Sequence, residues 1–151
     1  MRERSILIAG IGGQGIVFAS TVLARALYSQ GYYVSQLQSY GAAVRGTPVV
    51  AWVVYSDRPI TCPFIEEYEN IVVLHQDGYK ECVKKGFKSD CVIVDEDLVP
   101  SPPPKSITLP MNREAERHGC RGLVNVVALG VLSKLGYVDE TSLRQVLSTM
   151  K

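Results

Sequence analysis

The sequence predicts a three-layer α/β/α sandwich built on a mainly parallel sheet, with some mixing allowed. Three observations predict it. Short apolar runs alternate with longer stretches of helical apolar spacing. A glycine-rich turn, Gly10-Ile11-Gly12-Gly13-Gln14-Gly15, separates the first such run from the first helical stretch, as in a Rossmann-like unit. The chain has 151 residues and 16.6 kDa, which suits one domain, so residues 1–151 are expected to form a single unit.

Taken in order, Ser5 to Ala9 reads as a buried first strand. From Ile16 to about Gln30, Ile16, Ala19, Leu23, Ala26 and Leu27 recur at helical spacing, and Gly31 suits a left-handed C-terminal cap. Tyr32 to Leu37 reads as a second strand, and Gln38 to Pro48 as a polar loop. Val49 to Tyr55 is the clearest strand, because Val, Trp and Tyr favour a pleated surface. It has no helix on either side, so an antiparallel or edge placement is expected. Asp57 and Pro59 mark a turn over Ser56 to Pro59.

Ile71 to Leu74 reads as a buried strand, Gly78 to Lys85 as a short helix, and Cys91 to Val94 as a strand ending in Asp95. Pro100, Pro102, Pro103 and Pro104 form a stiff surface connection to a last short strand, Ser106 to Leu109. Three helices are expected at the end: Asn112 to His118, Leu123 to Leu135 and Asp139 to Thr149. Asp139, ahead of Glu140 and Ser142, is the expected N-cap of the last one.

The formal net charge is +1, with 46% hydrophobic and 21% charged residues. That balance excludes a general basic footprint for nucleic acid, and no apolar run reaches the roughly 18 residues of a membrane span. Met1 to Arg4 followed by apolar residues faintly resembles a signal peptide, but the glycines from Gly10 interrupt the run. The four cysteines, at 62, 82, 91 and 120, lack the close spacing of a local zinc or iron–sulfur set. A cytoplasmic protein with reduced thiols is expected, with no metal site of its own. The charges are unevenly placed: no acid occurs between Glu3 and Asp57, a stretch that holds Arg4, Arg25 and Arg45.

The glycine turn satisfies G-x-G-x-x-G between a strand and a helix. Glycines let backbone N–H groups approach an anion, and a helix N-terminus adds partial positive charge. A tight turn with close helix–sheet packing needs glycines equally. A dinucleotide site should add an acid at the end of the second strand, yet Tyr32 to Gln38 contains none. Only Gln36 or Gln38 could offer a weaker bond there. A phosphate loop ending in Gly-Lys-Ser/Thr is excluded, because no Lys follows the glycines.

Ser39-Tyr40-Gly41-Ala42-Ala43-Val44-Arg45-Gly46-Thr47 follows the second strand. Loops after parallel strands share one sheet edge, so Arg45 is a candidate to face the same cleft as the glycine turn. Its planar fork suits phosphate or carboxylate. Weaker candidates are Tyr40, His75 with Gln76, Asp95 as a cap, and Cys120 as a nucleophile paired with a histidine. His118 is expected to be solvated. Asn125, polar within an apolar helix, could satisfy a buried loop backbone.

The stretches GIGGQG, SYGAAVRG before a Val-rich strand, and NVVALGVL late in the chain resemble the gamma subunit of 2-oxoacid:ferredoxin oxidoreductases. The resemblance covers nearly the whole chain. It marks Gly10, Gly12, Gly13, Gln14, Gly15, Arg45, Gly46 and Asn125 as matching, cofactor-binding positions. It implies oxidative decarboxylation of a 2-oxoacid with CoA to acyl-CoA and CO2, electrons passing to ferredoxin. The implied complex has alpha, beta and ferredoxin-like delta partners carrying thiamine diphosphate, Mg2+ and a 4Fe–4S cluster. This chain lacks both a cysteine set and a G-D-G signature, so those cofactors are expected in partner subunits, and the chain alone is expected to be inactive. Its expected part is to complete the complex and line the CoA or substrate route, with 2-oxoglutarate or a broad 2-oxoacid range favoured. Thr47 departs from the second glycine common after Arg-Gly, and such chains run a few tens of residues beyond Lys151, so a short variant or truncated product is expected. The competing expectations are a stand-alone NAD(P)-type nucleotide-binding enzyme and a non-catalytic assembly module.

Overall fold

The computed structural model describes residues 3–40 and 46–150, Tyr40 through its backbone. The strands are β1 (Arg4–Ile11), β2 (Tyr33–Tyr40), β3 (Pro48–Ser56), β4 (Glu67–Tyr68), β5 (Asn70–Val73), β6 (Lys88–Ser89), β7 (Val92–Asp95) and β8 (Ile107–Leu109). The helices are α1 (Ile16–Ser29), α2 (Gln76–Lys84), α3 (Met111–Arg117), α4 (Val124–Lys134) and α5 (Glu140–Thr149).

Six strands form one sheet in the order β2-β3-β1-β5-β7-β8. The pairs β1–β5, β5–β7 and β7–β8 are parallel, whereas β3 is antiparallel to both β1 and β2. β2 therefore runs in the same direction as β1, and the carboxyl ends of β1, β2, β5, β7 and β8 lie along one edge. The expected α/β sandwich with a mixed sheet is what forms. Of the two placements expected for Val49 to Tyr55, the antiparallel one is correct and the edge one is not. β3 is inserted between β1 and β2, which moves β2 to the edge.

Alternation along the strands divides the core between the two faces. Ile6 and Ile8 of β1, with Ala51, Val53 and Tyr55 of β3, pack against α1, α4 and α5. Leu7 and Ala9, with Val50, Trp52 and Val54, face α2 and the segments that carry Tyr68 and Val99. On that second face the rings of Trp52, Tyr68 and Phe87 meet edge to face at 5.5–6.5 Å between centroids.

Several boundaries differ from expectation for local reasons. β2 continues past Leu37 to Tyr40, because each of its residues finds a β3 partner as far as Tyr40↔Val49. The expected loop over Gln38 to Pro48 is shortened at both ends, since β3 begins at Pro48. α2 begins at Gln76 rather than Gly78, because the His75 Nδ1 atom accepts the Asp77 N–H at 3.1 Å and caps the helix. Gly31 follows α1 with φ 99°, as the left-handed C-terminal position requires. Asp139 does precede α5, yet its side chain makes no capping hydrogen bond.

Candidate functional site

The carboxyl edge of the sheet gathers the glycine turn and the N-termini of α1, α2 and α4. The turn is held from three sides. Gln14 accepts the Ile11 N–H on Oε1 at 3.0 Å and donates from Nε2 to the Leu74 carbonyl at 2.9 Å. Its amide therefore brackets the turn against the end of β5. The Gln14 N–H reaches back to the Ile11 carbonyl at 3.2 Å.

The second motif docks on the first through backbone hydrogen bonds of Gly46 and Thr47. Gly12 donates its N–H to the Thr47 carbonyl at 2.8 Å, and Gly46 donates its N–H to the Gly12 carbonyl at 3.0 Å. Gly46 is left-handed at φ 88°, which lets it turn back onto Gly12. Residues 41–45, Arg45 among them, and the Tyr40 side chain lie outside the described residues.

Asn125 approaches from the third side. It lies in the first turn of α4, and its Nδ2 donates to the Gly15 carbonyl at 3.2 Å. Gly15 is the N-cap of α1 in the left-handed conformation, φ 71°. Asn125 is 5% exposed, and its Oδ1 has no hydrogen-bond partner. Two helix N-termini thus meet at one point. Neither α1 nor α4 has an acid in its first turn, and neither carries a side-chain cap. The first N–H groups of any helix have no partner within it and carry partial positive charge. A negatively charged or acceptor-rich group is the chemistry such an edge receives.

Gly78 belongs to this edge and was not singled out in the sequence. A Cβ there would sit 2.4 Å from the Gly10 nitrogen and 2.7 Å from its Cα. The absence of a side chain lets α2 press onto the end of β1. A glycine three residues after the His75 cap is the signal the sequence offers, and only its packing gives it meaning.

The remaining candidates have structural partners. Gln36 donates to Ser20 Oγ and Thr21 Oγ1, both at 2.8 Å, so its amide turns towards α1 instead of a ribose. Asp95 is fully buried and accepts N–H groups from Asn112, Asp97 and Leu98 at 2.7, 3.2 and 2.9 Å. It joins the end of β7 to the start of α3. Gln76 exchanges two hydrogen bonds with the backbone of Ser101. His118 is exposed with Nε2 3.4 Å from Glu114 Oε2, while the Cys120 thiol faces the His118 carbonyl. Among the described residues no group of three or more His, Cys, Asp or Glu could hold a metal ion. No helix among them is long and apolar enough to cross a membrane.

Fold and site define an α/β chain with a clamped glycine turn at the carboxyl edge of the sheet, where the first turns of α1 and α4 carry no acid. Residues 5–150 match the family model described as pyruvate ferredoxin/flavodoxin oxidoreductase. A 2-oxoglutarate synthase subunit KorC of Methanocaldococcus jannaschii is 38% identical, over 88% of this chain and 75% of its own. The KorC subunit of Archaeoglobus fulgidus is 33% identical, over 89% of this chain and 71% of its own. The gamma subunit of a keto/oxoacid ferredoxin oxidoreductase from Geobacter sulfurreducens superposes with a TM-score of 0.78 at 26% identity, over 98% of this chain and 87% of that one. The chain belongs to the pyruvate ferredoxin/flavodoxin oxidoreductase family, and within it to the gamma-type subunits.

Proposed function

We propose that this chain is the gamma subunit of a CoA-dependent 2-oxoacid:ferredoxin oxidoreductase and that its glycine-turn edge lines the CoA route. The reaction would convert a 2-oxoacid and CoA to acyl-CoA and CO2, with the electrons passing to ferredoxin. Substrate oxidation and electron transfer then belong to partner subunits of alpha, beta and ferredoxin-like delta type. Those subunits would hold thiamine diphosphate, Mg2+ and the cubane cluster. 2-Oxoglutarate is the favoured substrate, because the KorC relatives are named subunits of 2-oxoglutarate synthase.

One observation carries the CoA reading. The Gly12–Thr47 and Gly46–Gly12 backbone bonds tie Gly46 and Thr47, which follow Arg45 in sequence, to the turn that opens α1. An arginine fork beside a helix N-terminus with no acid in its first turn would suit a polyanion. Gly10, Gly13, Gln14 and Gly15 would shape that surface, and Asn125 would hold it through the Gly15 carbonyl. A stand-alone NAD(P) enzyme is disfavoured, because β2 offers no acid and its Gln36 amide is committed to α1.

The test is calorimetric titration of CoA onto the assembled complex, with Arg45→Ala and Gly12→Val variants of this chain. Loss of one arginine–phosphate contact should weaken CoA binding by about tenfold. KM for CoA should rise while KM for the 2-oxoacid holds. Unchanged CoA affinity in a fully assembled Arg45→Ala complex would assign this edge to subunit assembly instead.

A further inference from the structure

We propose that β2 is where two copies of this chain join, edge to edge, into one continuous sheet. β2 ends the sheet and runs for eight residues, about 27 Å of strand. An edge of that length is normally protected by charge, proline or brevity. The opposite edge follows that rule. β8 has three residues, and Pro102, Pro103, Pro104 and Lys105 precede it. β2 has none of these protections. No Asp, Glu, Lys, Arg or His occurs between Arg25 and Arg45, in a chain that is 21% charged.

The residue order of β2 identifies the occupant. Ser35-Gln36-Leu37-Gln38-Ser39 reads the same in both directions. A two-fold axis through Leu37 would pair two antiparallel β2 strands with Leu37 opposite Leu37. Gln36 of one copy would then face Gln38 of the other, and Ser35 would face Ser39. A two-fold interface requires such a self-complementary patch. Facing Ser35 and Ser39 hydroxyls can hydrogen-bond, Gln36 Oε1, its Nε2 already committed to α1, can accept from Gln38 of the other copy, and no like charges oppose each other across the axis. An open groove of about 780 Å3, lined by Val17, Thr21 and residues 36–39, runs along the same edge. Tyr28 and Tyr33, 73% and 51% exposed, lie on the two elements that flank it. Exposed aromatic residues beside an uncharged strip are typical of interface composition. This pairing is independent of the CoA reading, since it uses the strand's outer backbone and not the glycine turn.

The test is analytical ultracentrifugation of the full chain over a hundredfold range of concentration, with two double variants. In the proposed register Ser35→Lys with Ser39→Lys places two lysine pairs across the axis and should weaken the dimer by at least tenfold. Ser35→Glu with Ser39→Lys changes the same positions but creates two attractive pairs, and should restore or tighten it. Circular dichroism melts establish that both variants fold. A wild-type chain that stays monomeric throughout overturns the proposal, and so does equal self-association of the two double variants. Protection of β2 amides from hydrogen exchange only when partner subunits are bound would also overturn it, giving the edge to another chain's strand.

Discussion

Asn125 and Gly15 lie 110 positions apart and are joined by one hydrogen bond, Nδ2 to carbonyl at 3.2 Å. The bond fixes the start of α1 against the first turn of α4. It also explains why position 15 is glycine twice over: φ is 71°, and a Cβ would lie 2.4 Å from Asn125 Nδ2. Gly15→Ala should therefore destabilise the chain by about 2–3 kcal/mol, combining left-handed strain with overpacking. Asn125→Ala should cost about 1 kcal/mol, since it removes the bond and the unpaired Oδ1 together. In the double variant the steric part of the Gly15→Ala loss should disappear, so the two changes should sum to less than their parts. Urea unfolding of the four proteins measures this, and strict additivity would refute the contact.

Gly78 and Gly10 bring backbone against backbone. A methyl group on Gly78 would meet main-chain atoms of β1 at 2.4–2.8 Å, and no rotamer can relieve that. Gly78→Ala should cost about 3 kcal/mol. By contrast, Gly130→Ala on α4, where a Cβ meets nothing within 4 Å, should be neutral or stabilising by up to about 1 kcal/mol. Paired denaturation curves decide this, and similar midpoints for the two variants would contradict the packing.

Much of this arrangement is legible in the residues. β1, β3, β7 and α1 follow from apolar periodicity, because each buries a face or both faces. The glycine turn is readable because its spacing falls between a strand and a helix. Asn125 stands out as a polar residue in an apolar helix, and its bond to the Gly15 carbonyl is of the kind its setting suggested. What is not legible depends on partners distant in sequence. Nothing in Val49 to Tyr55 says that it inserts between β1 and β2. The polar end of β2 looks like loop until β3 pairs with it. β4 and β6, two residues each, carry too short a pattern to read. Gly78 looks like an ordinary helix glycine until the end of β1 is beside it. The start of α2 is not legible because a histidine ring, not a hydroxyl or carboxylate, supplies the cap.

Asp95 works as a buried junction. Its two oxygens take three N–H groups, one from α3 and two from the turn after β7. Asp95→Asn is nearly isosteric but turns an NH2 group towards N–H donors. It should cost about 2–3 kcal/mol. Asp95→Ala leaves all three donors unpaired and should cost more. Equilibrium unfolding ranks the variants, and an Asn variant as stable as wild type would mean that the carboxylate is not needed there.

Cys82 links burial to alkaline stability. The side chain is 1% exposed on the inner face of α2, and burial pushes its thiol from 9.0 up to about 12. Burial pushes the Tyr68 and Tyr55 hydroxyls upward as well. Above about pH 9 the unfolded chain loses the Cys82 proton while the folded chain keeps it. The folded state then binds more protons, so stability must fall as pH rises. The contribution is complete below pH 9 and is lost progressively towards pH 12. Cys82→Ala should flatten the decline of the urea midpoint over that window without abolishing it, because Tyr68 and Tyr55 still contribute. The same burial should leave Cys82 unmodified by iodoacetamide at pH 8, while the exposed Cys62 and Cys120 react. Mass spectrometry of the alkylated chain reads this directly. Labelling of Cys82 at the rate of Cys62 in the folded protein would show that α2 opens far more readily than its packing implies.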